Sequence, residues 1–268
     1  MTDWKALIAA RPSGATAASL IAAYGNPEGP GAGPSPQGGA WFTPSPAWAR
    51  ENLTTIPAEK LPHWPLLGGK AVSGVTVHRL VAAPLIATWA EVNRRGLAGR
   101  LRTFNGAAAF RHMGHDRSRP LSVHAFGAAF DVDAAWNAYG VPLAQQQIDR
   151  DVVRVFQECG WEWGGLWTDP YEDGMHFQWT DPLPGVRQPA WRDAMARGQG
   201  SAPKPTPAPA PAPAPTTGIV VKPTVPGPVV LVPDGAGGWR DVAGQRTTLP
   251  GGTVVNATDL TRIWIAER

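Results

Sequence analysis

Two histidines and one aspartate are spaced so that a single metal ion could bind all three. His124 and Asp131 lie seven residues apart, with Gly127 between them, in the segment LSVHAFGAAFDVD. Because glycine permits tight turns, His124 can fold back towards the strand that carries Asp131. His176 lies in a second segment, DGMHFQW, whose alternation is typical of a half-buried strand. Two imidazoles and one carboxylate would leave a fourth coordination position open, which is the arrangement of catalytic rather than structural zinc.

The elements around these residues predict an α+β domain over residues 41–195. Apolar spacing predicts helices at 84–95 and 145–159, each followed by a glycine that can end it. Short apolar or alternating runs predict strands at 74–78, 100–104, 128–133 and 175–179. Since strands and helices do not alternate regularly, we expect a small antiparallel sheet with flanking helices that carries the zinc site.

The rest of the chain predicts three further regions. Residues 1–40 form an N-terminal extension with two short helices, at 2–10 and 15–24, followed by a Gly/Pro-rich stretch. Residues 196–228 form a Pro/Ala-rich linker, because the tract SAPKPTPAPAPAPAP favours extended polyproline II. Residues 229–268 form a small β module, predicted from short apolar runs at 229–232, 253–255 and 262–266.

Composition narrows the class of protein further. The chain has 268 residues, a formal net charge of +3 and one cysteine. We therefore expect no intrachain disulfide, no multi-cysteine metal site and no nucleic-acid partner, since no clustered basic face is evident. No apolar run is long enough for a membrane helix, so no membrane insertion is expected. The first residues lack a basic segment followed by a continuous apolar run, which predicts synthesis in the cytoplasm without a signal peptide.

Two motifs resemble the signatures of one enzyme family. The first is S-x-H-x-x-G-x-A-x-D, matched by Ser122, His124, Gly127, Ala129 and Asp131. The second is an acidic residue three positions before a histidine, matched by Asp173 and His176. Both resemble the zinc D-alanyl-D-alanine carboxypeptidase and L-alanyl-D-glutamate endopeptidase family, which cuts the peptides of bacterial cell walls. The likeness extends over about residues 41–182, including WGGLW before the second signature.

The resemblance implies a role for each matched residue. His124, Asp131 and His176 would ligate Zn²⁺, and Asp173 would act as the catalytic acid/base. A carboxylate can take a proton from zinc-bound water and pass it to the leaving amine. Arg111 resembles the family's substrate-side arginine, and its guanidinium suits a peptide carboxylate or a developing oxyanion.

Other residues near the motifs leave alternatives open. Ser122, Asp133 and Trp167 are expected on the substrate side of the site. Asp133 shares a strand face with Asp131, so it could instead support a ligand, and Glu172 is a second candidate for the acid/base. A further possible metal cluster, in a charged loop where the family has no ligands, is formed by His112, His115 and Asp116; we interpret its histidines as solvated.

These observations favour a zinc peptidase that acts on the stem peptides of peptidoglycan. The segment DVDAAWNAYG resembles a motif of phage endolysins, apart from Asp133 and Ala134, and favours cleavage between L-Ala and D-Glu. The alternative reaction is that of a D-Ala-D-Ala carboxypeptidase. An alternative of another class is a non-catalytic or virion-associated wall-binding protein. We expect action on the bacterial cell wall after release, with residues 229–268 as a candidate wall-binding module; the sequence gives no information on oligomeric state.

Overall fold

The computed structural model describes residues 2–200 and four short strands beyond them. The chain divides into two compact units, residues 1–208 and 209–268. The first unit contains short helices and small antiparallel sheets, so the mixed α and β class predicted from the sequence is confirmed. In the described part of the chain, no helix combines the length and the apolar character needed to cross a membrane.

The helices of the first unit are α1 (Trp4–Ala9), α2 (Ala17–Tyr24), α3 (Pro46–Asn52), α4 (Arg79–Arg94) and α5 (Arg150–Glu158). Its strands are β1 (Gly33–Pro34), β2 (Phe42–Thr43), β3 (Leu53–Pro57), β4 (Gly74–His78), β5 (Phe104–Gly106), β6 (Ala129–Val132), β7 (Glu162–Trp163) and β8 (His176–Gln178). Strands β1 and β2 form one antiparallel pair, and β3 and β4 form another.

The sheet that carries the candidate site has the strand order β5-β6-β8-β7, with every pair antiparallel. Its two central strands, β6 and β8, pair apolar with apolar and polar with polar residues. Phe130 pairs with Phe177, and their rings stack with centroids 5.4 Å apart in the core. Asp131 pairs with His176 one residue further along. Because successive side chains of a strand point to opposite faces, the same register that buries the phenylalanines brings the two polar residues together on the other face.

Helix α4 begins five residues before the predicted start at 84, and Pro84 lies inside it. The earlier start arises because His78 acts as the N-cap, its Nδ1 accepting a hydrogen bond from the backbone N–H of Leu80 at 3.1 Å. Helix α5 begins later than the predicted 145, because Asp149 caps it by accepting from the backbone N–H groups of Asp151 and Val152. Sequence periodicity located both helices but not their first residues.

The predicted strands 74–78, 128–133 and 175–179 correspond to β4, β6 and β8. The strand predicted at 100–104 is wrong in position. A 3₁₀ turn occupies residues 98–100, and β5 begins only at Phe104, where it pairs with Val132.

Residues 1–40 pack against the rest of the first unit. The predicted helices at 2–10 and 15–24 are present as α1 and α2. Tyr24 is fully buried, and its hydroxyl donates a hydrogen bond to the carbonyl of Trp179, which follows β8. The guanidinium of Arg11 forms ion pairs with Asp181 and Asp193. The N-terminal segment is therefore tied to the region just after the site-bearing strand.

In the second unit, the described strands form a four-stranded antiparallel sheet: β9 (Val220–Val221), β10 (Val229–Pro233), β11 (Trp239–Asp241) and β12 (Arg246–Thr247). The predicted run at 229–232 falls within β10. The runs predicted at 253–255 and 262–266, and the proline tract, lie outside the described residues. The boundaries of the linker and of the β module remain predictions.

Candidate metal centre

His124 is carried by a short 3₁₀ turn, Val123–Phe126. Ser122 caps this turn, and Gly127 ends it in the left-handed conformation with φ of 65°. A side chain on Gly127 would also lie only 2.8 Å from the backbone nitrogen of His78. Glycine is thus required both for the turn and for the close approach of β4, and the predicted folding back of His124 towards β6 is confirmed.

The candidate ligand atoms converge on one point of the site-bearing sheet. His124 Nε2 lies 3.1 Å from His176 Nδ1 and 3.2 Å from Asp131 Oδ1, and His176 Nδ1 lies 3.2 Å from the same oxygen. All three residues are largely shielded from solvent. Within the described residues they are the one group of at least three such side chains with metal-ligand geometry.

The other nitrogen of each imidazole has a partner that sets the tautomer. His124 Nδ1 donates to the carbonyl of Ala107 at 2.7 Å, which leaves Nε2 without a hydrogen. His176 Nε2 donates to Oε1 of Gln178 at 3.0 Å, which leaves Nδ1 free. The amide of Gln178 in turn donates to the hydroxyl of Thr180 at 2.8 Å. Such partners orient metal-binding histidines and raise their basicity.

These residues fit a zinc ion. In neutral tautomers the two nitrogens and the carboxylate oxygen are all acceptors, so no hydrogen stands between them, and a cation satisfies all three. Tetrahedral zinc with bonds of about 2.0–2.1 Å separates its ligands by about 3.3 Å, close to the observed 3.1–3.2 Å. Burial alone would raise the pKa of Asp131, but a positive charge on His124 or His176, with the hydrogen bond that the protonated ring donates, lowers it, so the carboxylate stays ionised. A cation between the three residues would act on this pKa in the same direction.

Asp173 lies beside this cluster, in the loop before β8. Its side chain is nine-tenths buried, and its Oδ1 has no hydrogen-bond partner among the described residues. Burial raises the pKa of Asp173 to about 6, with an additional contribution from the negative charge of Asp131. A carboxyl group that titrates near neutrality is suited to accept and return a proton.

Gly164 makes the approach of Asp173 possible. A Cβ at this position would lie 2.6 Å from the backbone oxygen of Asp173, 3.0 Å from its Cβ and 3.3 Å from the Cβ of His176. Asp173 and His176 therefore both pack against the backbone of Gly164, where a side chain would collide with them. This explains why the first glycine of the WGGLW segment has to be a glycine. The alternative carboxylate, Glu172, is also buried, with Oε2 lacking a partner among the described residues, but no contact with the ligand cluster is seen for it.

Arg111 is half-buried at the edge of the site. Its backbone pairs with Trp41, and its guanidinium makes one long hydrogen bond, of 3.4 Å, to the carbonyl of His112. Its positive charge acts on Asp173, where it opposes the burial that raises the pKa of this carboxyl group. Arg111 is therefore near the candidate acid/base, and most of its donors have no partner among the described residues.

Two of the expected substrate-side residues, Ser122 and Asp133, are buried and bonded to the backbone. Ser122 is buried, and its hydroxyl accepts from the backbone N–H of His124. Asp133 is completely buried, and its Oδ1 accepts from the backbone N–H groups of Arg102 and Thr103, both at 2.8 Å. Its carboxylate thus fixes the chain leading into β5.

Trp167 remains at the site. Its ring centre lies 5.2 Å from that of His176, and its indole N–H donates to Glu162 at 3.3 Å. The carboxylate of Glu162 is held in turn by Arg192 at 2.7 Å. Trp167 is partly exposed, so it can contact a substrate while it packs on a candidate ligand.

The second histidine cluster does not form a metal site in the described part of the chain. His112 is buried, not solvated as expected, because its Nδ1 bonds to the carbonyl of Arg119 and its Nε2 to Glu28. His115 is exposed and contacts the ring of Trp41. The carboxylate of Asp116 accepts from Ser118. Each of the three side chains has a different partner.

Three convergent ligands beside a buried carboxylate define a centre of the metallopeptidase class. A profile of the D-alanyl-D-alanine carboxypeptidase family matches residues 115–179, which confirms the resemblance over about a quarter of the chain. The matched stretch contains His124, Asp131, Asp173 and His176, and it supports a zinc peptidase acting on peptidoglycan peptides. Neither a curated protein nor a solved structure matches the chain.

Sequence reasoning did not identify the groups that orient the ligands. Gln178 was visible as the residue two positions after His176, and therefore on the same face of its strand. The carbonyl of Ala107 gave no signal, because a backbone acceptor has no residue type by which to recognise it. The link from Arg192 through Glu162 to Trp167 also gave none, since it joins residues 30 positions apart.

Proposed function

We propose that this protein is a zinc-dependent peptidase that hydrolyses the bond between L-Ala and D-Glu in peptidoglycan stem peptides. The observation that carries the proposal is the convergence of three acceptor atoms within 3.2 Å of one another, beside the buried carboxyl group of Asp173. His124, Asp131 and His176 would hold the ion. Zinc bound there supplies a water of lowered pKa and polarises a carbonyl group.

The chain's own residues then account for the movement of the proton. Asp173 accepts a proton in its ionised form and returns it to the leaving amine, and its raised pKa makes both transfers accessible near neutral pH. Arg111 supplies a planar cation near the same carboxylate, suited to an oxyanion or to a carboxylate of the acidic stem peptide. The partners of the imidazoles keep the ligand nitrogens aimed at one point while a peptide binds.

The endopeptidase assignment is supported by the segment DVDAAWNAYG, which resembles that of phage endolysins. The second candidate is a D-Ala-D-Ala carboxypeptidase, favoured by the description of the matching family and by a cation that could bind a terminal carboxylate. Mass spectrometry of digested peptidoglycan distinguishes the two reactions. A new free amine on D-Glu is expected, whereas release of D-Ala alone would establish the carboxypeptidase.

Substitution of the ligands tests the assignment of the metal. His124→Ala and His176→Ala should each lose bound zinc and hydrolysis, while circular dichroism shows a retained fold. A doubly substituted protein that binds one equivalent of zinc as tightly as the natural chain would refute the assignment.

We also propose that residues 229–268 bind the cell wall and that the Pro/Ala-rich linker acts as a spacer. A tether of this kind raises the effective concentration of substrate without changing the active site. A chain that ends at Gly200 should cleave a soluble stem peptide normally but lyse intact walls more slowly. Equal loss on both substrates would contradict a targeting role.

A further inference from the structure

A cavity of about 470 Å³ lies between the β1–β2 hairpin and the segment 108–110. Three aromatic rings line it, those of Trp41, Phe42 and Phe110, and Gln37 lies at its border. Trp41 is half-buried and Gln37 is exposed, so an aromatic surface and an amide are both accessible from solvent. The volume lies in the range of ligand-binding pockets, and no role follows for this cavity from the matched segment, which begins at residue 115.

Hydrogen bonds join the wall of this cavity to the turn that carries His124. Ala107 accepts the hydrogen bond from Nδ1 of His124, and the backbone N–H of Ala109 donates to the carbonyl of the same histidine at 3.0 Å. On the other side, Phe110 accepts from the backbone N–H of Phe42 at 3.0 Å. Two residues span at most about 7 Å, so the cavity begins within about this distance of the backbone that holds His124.

The lining is suited to a sugar ring. The C–H-rich face of a pyranose packs on an indole or phenyl ring, while its hydroxyl and acetamido groups need hydrogen-bonding partners at the border of the pocket. Trp41 offers such a ring, and its orientation is supported by a ring contact with His115 at 5.8 Å. The amide of Gln37 makes no side-chain hydrogen bond to other described residues, so its donors and acceptor are available.

The chemistry of the substrate places a sugar close to only one of the two candidate bonds. In a peptidoglycan stem, L-Ala is joined through its amine to the lactyl group of an N-acetylated amino sugar. The bond between L-Ala and D-Glu is therefore one residue from the sugar, roughly 4–8 Å along an extended chain. The D-Ala-D-Ala bond is four residues away, at roughly 14–18 Å on the same basis.

We propose that this cavity binds the N-acetylmuramyl sugar to which the stem peptide is attached. The inference rests on the proposed function and deepens it, because it assigns a muropeptide rather than a free peptide as substrate. Trp41 and Gln37 are then specificity-determining residues for the sugar, and they lie outside the segment that carries the metal ligands and Asp173.

The test compares two soluble substrates with the full-length, zinc-loaded protein. One is a stem peptide joined to N-acetylmuramic acid, and the other is the same peptide with a plain lactyl group. The natural chain should hydrolyse the sugar-bearing substrate with a kcat/KM about tenfold higher or more. Trp41→Ala should remove this preference and leave hydrolysis of the lactyl peptide unchanged, whereas Trp41→Phe, which keeps an aromatic ring, should retain most of it.

Trp191→Ala is a matched control, because Trp191 is also partly exposed but packs against Gln157 and Arg154. Gln37→Ala, at an exposed loop position, should give a smaller loss of preference without affecting the fold. Equal losses on both substrates in Trp41→Ala, or no preference in the natural chain, would overturn the proposal.

A binding measurement separates failure of this inference from failure of the proposed function. Isothermal titration of the zinc-free protein with the methyl glycoside of N-acetylmuramic acid should show binding that Trp41→Ala weakens about tenfold. Residues 209–268 are present in both proteins, so the difference between them reports the cavity. If the glycoside binds in this way but neither substrate is hydrolysed, the proposed function is wrong and the sugar site stands; hydrolysis without a difference in binding refutes the sugar site alone.

Discussion

The hydrogen bond from His176 to Gln178 provides a quantitative test of the metal centre. The bond is 3.0 Å long, and Gln178 is 1% exposed, so no bulk water can replace the amide oxygen. Gln178→Leu removes this acceptor with little change in volume, which limits the cost in packing. The hydroxyl of Thr180 keeps a second partner, the carbonyl of Asp181 at 3.1 Å, and is not left unpaired.

Without Gln178, the imidazole of His176 is free to carry its hydrogen on Nδ1, where it opposes metal binding. Loss of such a supporting group typically costs 10–100-fold in metal affinity. We therefore expect the zinc dissociation constant to rise by this factor, which corresponds to about 1.4–2.8 kcal/mol. Competition with a chromophoric chelator at fixed pH measures the constant, and circular dichroism checks the fold.

Two further variants make the result specific. Gln178→Glu keeps an acceptor at the same position and should retain most of the affinity. Gln157→Leu is a control for loss of a buried amide, because Gln157 is 2% exposed and its oxygen accepts from Trp191, away from the ligands. A folded Gln178→Leu protein that binds zinc within twofold of the natural chain would refute the role assigned to this residue.

Other variants and conditions test the remaining assignments. Asp173→Asn should keep zinc, measured by metal analysis, but lose roughly 10²–10⁴-fold in the rate of hydrolysis. If Glu172→Gln shows this loss and Asp173→Asn stays active, Glu172 and not Asp173 is the acid/base. Arg111→Lys keeps the charge but not the planar fork, so kcat/KM should fall at unchanged zinc content, and normal kinetics would exclude a substrate contact. Burial lowers the pKa of His78 from 6.5 to about 4, so the unfolded chain binds a proton first as the pH falls. The free energy of unfolding, from urea titrations, should thus decrease by up to about 3 kcal/mol between pH 6.5 and 4, and His78→Gln should lack this component.

The ligands could be predicted from the sequence because each lies in a short, recognisable sequence motif. The spacing of His124, Gly127 and Asp131 and the alternation around His176 made these side chains candidates, and the resemblance to the peptidase signatures implied that they are ligands. The structure brings His124, Asp131 and His176 together. The register that joins the two strands follows from the neighbouring phenylalanines, Phe130 and Phe177, which must share the core face. In β6 and β8, the alternation of the sequence and the packing of the core therefore favour the same register.

The surroundings of individual side chains could not be predicted from the sequence where contacts between distant segments determine them. Asp133 alternates with Asp131 and was expected on the substrate side or in support of a ligand. Its φ of 53° departs from the strand pattern, and its carboxylate accepts hydrogen bonds from the backbone of the adjacent segment, which the alternation did not indicate. His112 lies in a stretch rich in charge, yet Glu28 bonds to it from a region 84 residues away. The start of α4 depended on a histidine as N-cap, a residue type not common in that role.

The burial of Tyr24 has a consequence for anyone who wishes to transplant this catalytic unit into a chimeric lytic enzyme. Its hydroxyl bonds to the carbonyl of Trp179, and its own carbonyl accepts from the indole of Trp48 and from the imidazole of His78. One residue from the N-terminal segment thus joins three separate parts of the domain. A cassette that begins at residue 41 would lack Tyr24, expose the cavity that its ring fills, and leave those three groups without their partner. A cassette cut at residue 115, the start of the matched segment, would in addition lose Trp48 and His78. The portable unit must therefore include α2, which ends at Tyr24, even though this helix contains none of the candidate ligands or the candidate acid/base.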